Sequence, residues 1–239
     1  MKYIYGPVKS RRLGLSLGIT LTPYKVCSFD CVYCQLGKSG GTTIQRAEYV
    51  PIQEIITDLK LWLQNNSQQA KSLDYITLSG SGEPTLNIKI EQLIAQIKQI
   101  TTVPIAVITN ASLFGAASVR QSLLAADLIV PSLDAAAALV FEKIDRPSRD
   151  ITIDQIINGL IELRKEFKGK IWLEIMLVKG MNDDLPHVRS LKEIADKINP
   201  DKIQLNSPVR STAEDNILPV DNKRLEKFKE IFGEKCEIF

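Results

Sequence analysis

Three of the four cysteines of this 239-residue chain fall within eight positions, as Cys27-Ser28-Phe29-Asp30-Cys31-Val32-Tyr33-Cys34, while Cys236 stands near the other end. Random scattering produces such spacing roughly once in a thousand chains, so the run needs a chemical cause, and clustered thiolates are metal ligands. A structural zinc site wants four closed nitrogen or sulfur ligands, usually as two spaced pairs, and this loop supplies three. The one histidine, His187, lies 153 positions beyond Cys34 beside Asp183, Asp184 and Pro186. A solvated helix start is the expectation there, which disfavours zinc. A cubane of four irons and four sulfides held by Cys27, Cys31 and Cys34 leaves one iron without a protein ligand, open to a substrate or cofactor. A disulfide plus a free thiol fits poorly in a chain whose Met1-Lys2-Tyr3 start carries no secretory signal.

The elements that must position this loop alternate along the chain. Candidate strands are 15–20, 75–79, 105–109, 128–132, 171–178 and 202–205; helical patterns run over 52–65, 88–100, 114–125, 136–144, 152–167, 187–199 and 222–232. Pro51 opens the first helix, and Asn199-Pro200 closes the sixth. Strands separated by helices imply a parallel sheet with right-handed crossovers, and runs such as Ile105-Ala106-Val107-Ile108 read as buried parallel strands. Six β/α units fall short of the eight in a closed barrel, so the expected fold is α/β, a partial open (β/α)6 barrel. A flat doubly wound sheet is the alternative.

In such folds chemistry collects at the carboxyl edge of the sheet. The first strand runs into the cysteine loop, and the next three end in Gly80-Ser81-Gly82-Glu83-Pro84-Thr85, Thr109-Asn110 and Ser132-Leu133-Asp134. The fifth carries Glu174, and the sixth ends in Asn206-Ser207-Pro208-Val209-Arg210. One shared site on one rim is the economical explanation. The blander readings are a simple turn for Glu83, a helix cap for Asp134 and a loop brace for Asn110.

Composition bounds the rest. With 44% hydrophobic residues the chain can bury a full core, and one domain over 1–239 is the simplest organisation. No apolar run approaches the roughly twenty residues that span a bilayer, and neither end carries a lipidation signal, so a cytoplasmic protein without a membrane partner is expected. A net charge of +2 does not announce a nucleic-acid binder, and DNA is not expected as a partner. The compact basic cluster Lys9, Arg11 and Arg12 is either a solvated turn or an anion contact.

The Cys27-x3-Cys31-x2-Cys34 run with Tyr33 before its last cysteine, followed by Gly82-Glu83-Pro84 at a strand end, resembles the radical S-adenosylmethionine superfamily over essentially the whole chain. Tyr5-Gly6-Pro7, Ser10-Arg11-Arg12-Leu13-Gly14, the segment Gly80 to Leu86 and Ser132-Leu133-Asp134-Ala135 resemble the branch of the synthases that build the wyosine-type tricyclic base of transfer RNA. The resemblance implies that Cys27, Cys31 and Cys34 ligate a [4Fe–4S] cluster whose open iron is chelated by the amino and carboxylate groups of S-adenosylmethionine. It further implies that the Ser81-Gly82-Glu83-Pro84 turn meets the methionyl ammonium, where a glycine lets backbone groups approach closely. Tyr33 then lies near the adenine, and Asn110, Ser132, Asp134 and Glu174 bind ribose hydroxyls or the methionyl carboxylate. The implied chemistry is one-electron cleavage of the sulfonium to a 5′-deoxyadenosyl radical that abstracts hydrogen, which needs no acid–base side chain.

The chain departs from that branch in lacking cysteines for a second cluster and a flavodoxin-like domain. Cys236 is read as a buried residue of a short strand at 235–239, and electrons are expected from an external flavodoxin- or ferredoxin-type donor. Substrate classes left open are a transfer RNA base, with Lys9, Arg11, Arg12, Arg146 and Arg210 on phosphates, and a glycyl-radical enzyme or peptide as the target of an activase or peptide-modifying enzyme. A non-catalytic iron–sulfur sensor or electron carrier is the third class.

Overall fold

A computed structural model describes residues 1–239. Strands β1 (Ile4–Ser10), β2 (Gly14–Thr20), β3 (Tyr75–Ser79), β4 (Ile105–Thr109), β5 (Leu128–Pro131), β6 (Lys170–Met176), β7 (Lys202–Asn206) and β8 (Cys236–Ile238) form one sheet in chain order. β1 pairs antiparallel with β2, and every later neighbour is parallel. β1 and β8 do not pair, so the sheet is an open partial barrel and the flat doubly wound alternative, whose strand order would not follow the chain, falls away.

The helices are α1 (Ile52–Asn65), α2 (Ser67–Ala70), α3 (Ile90–Ile100), α4 (Ala117–Gln121), α5 (Ala138–Ile144), α6 (Ile153–Glu166), α7 (Leu185–Ile198) and α8 (Asn222–Phe232). Their boundaries follow local chemistry. Thr152 and Gln155 close a capping box at the start of α6, Asp184 accepts from the His187 amide at 2.9 Å to start α7, and Asn199 ends it at φ +52°. α4 is shorter than the expected 114–125, because Arg120 Nη1 draws in the Phe114 carbonyl at 2.7 Å and Ser122 Oγ binds the Val119 carbonyl, both outside a helical ladder. No helix is long and apolar enough to cross a membrane.

Alternation along the strands sorts two cores. Outward residues such as Leu17, Ile76, Leu78, Leu173 and Leu205 join the helices in the main core. Inward residues Ala106, Leu128 and Val130 meet Leu13 from the β1–β2 turn, with Tyr75 and Trp172 edge to face at 6.2 Å, and plug the lower barrel. Above this plug polar inward residues, Ser16, Thr77, Ser79, Glu174 and Asn206, mix with Ile108 and Met176, and a cavity of about 470 Å³ opens. Its walls include β1 and the residues after β7, so it communicates with solvent through the gap in the barrel.

Candidate cofactor site

The cysteine loop leaves β2 and crosses the carboxyl rim without regular structure, so its position must come from outside contacts. On one side Glu83 N donates to Val26 O at 3.1 Å, and Ser81 O accepts from the Lys25 amide. On the other side Val32 N donates to Ile144 O at 2.9 Å, Ser148 N to Ser28 O at 2.9 Å, and Phe29 packs edge-on against Phe141 at 5.3 Å. The loop is thereby held between the turn after β3 and the end of α5.

Gly82 is where that seat is tightest: a Cβ there would lie 1.9 Å from Val26 O and 2.8 Å from Thr22 Oγ1. Only glycine allows the approach. The carboxylate of Glu83 is buried and accepts four bonds, from Thr85 N (3.0 Å), Thr85 Oγ1 (2.6 Å), Thr109 Oγ1 (2.6 Å) and Asn110 N (2.8 Å). Burial raises its pKa while those bonds act to lower it. Its side chain is engaged wholly within the protein, on the turn's own Thr85 and on the end of β4.

Cys27, Cys31 and Cys34 are free and half-buried. Asn110 Nδ2 approaches Cys27 Sγ at 3.5 Å and Ser28 Oγ at 2.9 Å, and Cys31 Sγ lies 3.4 Å from Asp145 Oδ1. Burial pushes the Cys27 thiol up to about 12, with Glu83 adding repulsion, and raises Cys31 strongly, with Asp145 adding to it. Such thiols become thiolates only when positive charge is supplied beside them, which is what iron does on binding. No three His, Cys, Asp or Glu side chains converge on a single metal ion. Three thiols on one loop, two of them on the cavity wall, match the three-cysteine donor set of a cluster with one open iron, whereas a closed structural zinc site wants four ligands.

The other expected residues gather around them. The Tyr33 hydroxyl donates to Asp134 Oδ2, and Asp134 Oδ1 accepts from Met176 N at 2.7 Å, so this carboxylate clamps the cysteine loop to β6 and does not cap a helix. Asp134 is pushed up to about 7, chiefly by burial. Ser132 follows β5 and forms a bridge to Glu174, lining with Asn110, Asp134 and Tyr33 a narrow crevice of about 10 Å³. Glu174 accepts from Asn206 Nδ2 at 2.8 Å and is ion-paired with Arg12, a partnership that sequence spacing does not reveal. Asp145, placed between Cys31 and Tyr33, had no signal in the sequence beyond its position before Arg146-Pro147.

Two expectations are corrected. His187 does start a helix but is only 8% exposed, because Ala136 N donates to its Nε2 at 3.3 Å and buries the ring. The basic cluster of Lys9, Arg11 and Arg12 is split, because Arg12 is drawn inward to Glu174 while Lys9 and Arg11 are exposed; Arg146 and Arg210 are exposed too, Arg146 pairing with Glu214 at 2.6 Å. Cys236 is buried in β8, as expected.

An open parallel α/β barrel with three thiols on its carboxyl rim beside a glycine turn defines a cluster-bearing barrel of the cofactor-binding kind. Residues 21–191 match the model of the radical SAM superfamily, and the chain belongs to that superfamily. It is 45% identical over 237 residues to "GTPase Obg" of Brachyspira hyodysenteriae, covering 99% of this chain but 34% of that one. It is 35% identical over 236 residues to a UPF0026 protein of Methanocaldococcus jannaschii, covering 98% and 72%. A probable dual-specificity RNA methyltransferase RlmN of Thermotoga petrophila is 26% identical over 225 residues, with 87% and 59% covered. The fold superposes on TYW1 with a lysine–pyruvate adduct bound (TM-score 0.65, 18% identity, 92% and 74% covered) and on Streptococcus suis SuiB bound to S-adenosylmethionine (0.66, 14%, 93% and 49%). The superfamily's cofactors are a [4Fe–4S] cluster and S-adenosylmethionine, and the thiols and rim here fit them.

Proposed function

We propose that this protein is an enzyme that cleaves S-adenosylmethionine reductively and takes a hydrogen atom from a base of a transfer RNA seated in the lateral cavity. When bound, the cofactors supply one-electron chemistry. That chemistry would be reductive cleavage of the sulfonium followed by hydrogen-atom abstraction, with the electron coming from an external flavodoxin- or ferredoxin-type donor.

The protein's own part is placement. Cys27, Cys31 and Cys34 hold the cluster, the Ser81-Gly82-Glu83 turn offers backbone to the methionyl ammonium, and Asn110, Ser132 and Asp134 serve the ribose hydroxyls or carboxylate. Tyr33, tied to Asp134, borders the adenine, and Glu174 contributes from β6 through its link to Arg12. The observation that carries this reading is the roughly 470 Å³ cavity, whose wall contains Cys31 and Cys34 and whose mouth carries Arg11 and Arg210. A substrate entering there would come up against Cys31 and Cys34 with its anionic parts at Arg11 and Arg210. That RNA is named for the RlmN relative supports the substrate class.

Anaerobic reconstitution with iron and sulfide, followed by dithionite and S-adenosylmethionine, tests the enzyme reading. Formation of 5′-deoxyadenosine and methionine is expected, increased by transfer RNA from cells lacking the protein. Absence of both products would sink it and leave a non-catalytic iron–sulfur protein. Affinity for transfer RNA that does not fall with salt would remove RNA as the substrate.

A further inference from the structure

Strand β1 carries an aromatic residue that the cofactor site does not use. Tyr5 pairs with Gly18 of β2, so both point to the inner face of the barrel. A Cβ on Gly18 would lie 2.0, 2.2 and 2.5 Å from Cζ, Cε2 and Cε1 of Tyr5. Those distances describe a point above the ring face near Cζ. The phenol ring therefore lies flat on the Gly18 backbone, in space that only glycine leaves free. Its hydroxyl is bonded to Ser79 Oγ at 2.7 Å, at the end of β3.

With one face against the wall and its hydroxyl anchored, the ring is held in one pose. Tyr5 nevertheless remains 40% exposed and lines the cavity. Val8 and Val209 stand exposed beside it at the mouth, with Arg11 and Arg210 on the two lips. Arg210 reaches Gln35, the neighbour of Cys34, at 2.7 Å, so the cationic lip adjoins the cysteine loop. An immobilised ring with one open face suits a planar π-system, and cations outside it suit a negatively charged tether. A peptide strand is the competing occupant, but the free edge of β1 is broken by Pro7 and by the register shift between Tyr5 and Val8.

We infer that Tyr5, laid flat by Gly18, is the stacking platform for the substrate's planar base, and that the substrate is a nucleobase carrying phosphate. This rests on the cavity reading above and adds a positioning residue to it. The base stacks on the exposed face of Tyr5 while Arg11 and Arg210 hold its phosphates, so the base is presented toward Cys34.

The test is binding of bulk transfer RNA to the reconstituted holoenzyme by fluorescence anisotropy across a salt series, with nucleoside 5′-monophosphates and ribose 5-phosphate in parallel. Tyr5→Phe keeps the ring and is expected to bind within about threefold of wild type, whereas Tyr5→Leu loses roughly 5- to 100-fold. Gly18→Ala, which displaces the ring without altering Tyr5, should resemble Tyr5→Leu, and iron content with melting temperature certifies each variant's fold. Because stacking is uncharged, Tyr5→Leu should leave the slope of log affinity against log salt unchanged, while Arg11→Ala reduces it by about one.

Tyr5→Leu binding like wild type, or Tyr5→Phe losing as much as Tyr5→Leu, overturns the platform. Wild type that ignores transfer RNA but prefers nucleoside monophosphates over ribose 5-phosphate, with the same ranking of variants, removes the RNA reading and keeps the platform. Binding of neither ligand sinks both.

Discussion

Thr109 at the end of β4 donates its hydroxyl to Glu83 Oε1 at 2.6 Å, joining two strand ends under the cysteine loop. With Asn110 N on Oε2, Glu83 becomes the knot that fixes the turn after β3, and that turn seats the loop through Val26. The loop that carries the three cysteines is thus positioned by a carboxylate that makes no hydrogen bond to them.

Replacing Gly82 by alanine places a methyl 1.9 Å from Val26 O, which the backbone must vacate. A loss of about 1–3 kcal/mol is expected from such overpacking. Iron bound per chain after reconstitution should fall with the melting temperature. Full iron loading by Gly82→Ala would contradict the seat described here.

The four cysteines should separate cleanly on substitution. Cys27→Ser, Cys31→Ser and Cys34→Ser each lose most of the iron and the broad visible absorption of a [4Fe–4S] cluster. Cys236→Ala keeps both and costs about 1–2 kcal/mol of stability, since it only removes a buried sulfur. Iron analysis of the four variants side by side reads the difference.

Asp134 makes the cluster-free protein sensitive to pH. Its folded pKa of about 7 lies above the ordinary 3.8, so the contribution is complete below about pH 4 and is lost as pH rises through 7. Stability should therefore decline between about pH 4 and 7, by at most about 1.4 kcal/mol per pH unit, and the melting temperature should fall with it. Asn at position 134 can still accept from Met176 N, so Asp134→Asn should flatten this slope. An unchanged slope would assign it to another group.

Glu174 and Arg12 form a pair across the barrel interior, with Asn206 on the other carboxylate oxygen. Glu174→Gln leaves a guanidinium without its counter-charge and should cost about 1–3 kcal/mol. Combining it with Arg12→Met should recover part of that loss, and chemical denaturation of the four proteins in a double-mutant cycle measures the coupling.

What could be read in the chain was local. The spacing of Cys27, Cys31 and Cys34, the strands with periodic apolar residues and the capped helices all depend on neighbours within a few positions, and α1 and α8 appear at their expected bounds. β1 escaped because Gly6-Pro7 interrupts its pattern, and it is a strand only because β2 lies beside it. The rim that gathers Asn110, Ser132 and Asp134 followed from the strand order, which short parallel connections make legible.

The partners of the charged and polar side chains were not legible. Sequence alone placed Glu83 and Glu174 near a shared site and read Arg12 as a solvated turn or an anion contact, but which partners each would face depends on contacts between residues far apart in the chain. Burial then decides the outcome: a carboxylate withdrawn from water must find donors wherever the folded chain supplies them, so Glu83 turned to Thr85 and Thr109, and Glu174 took Arg12 away from the surface. Spacing and strand order determined that three clustered thiols would stand at a barrel rim; only the packing of loops and strands decided which polar groups are left without a partner in the protein.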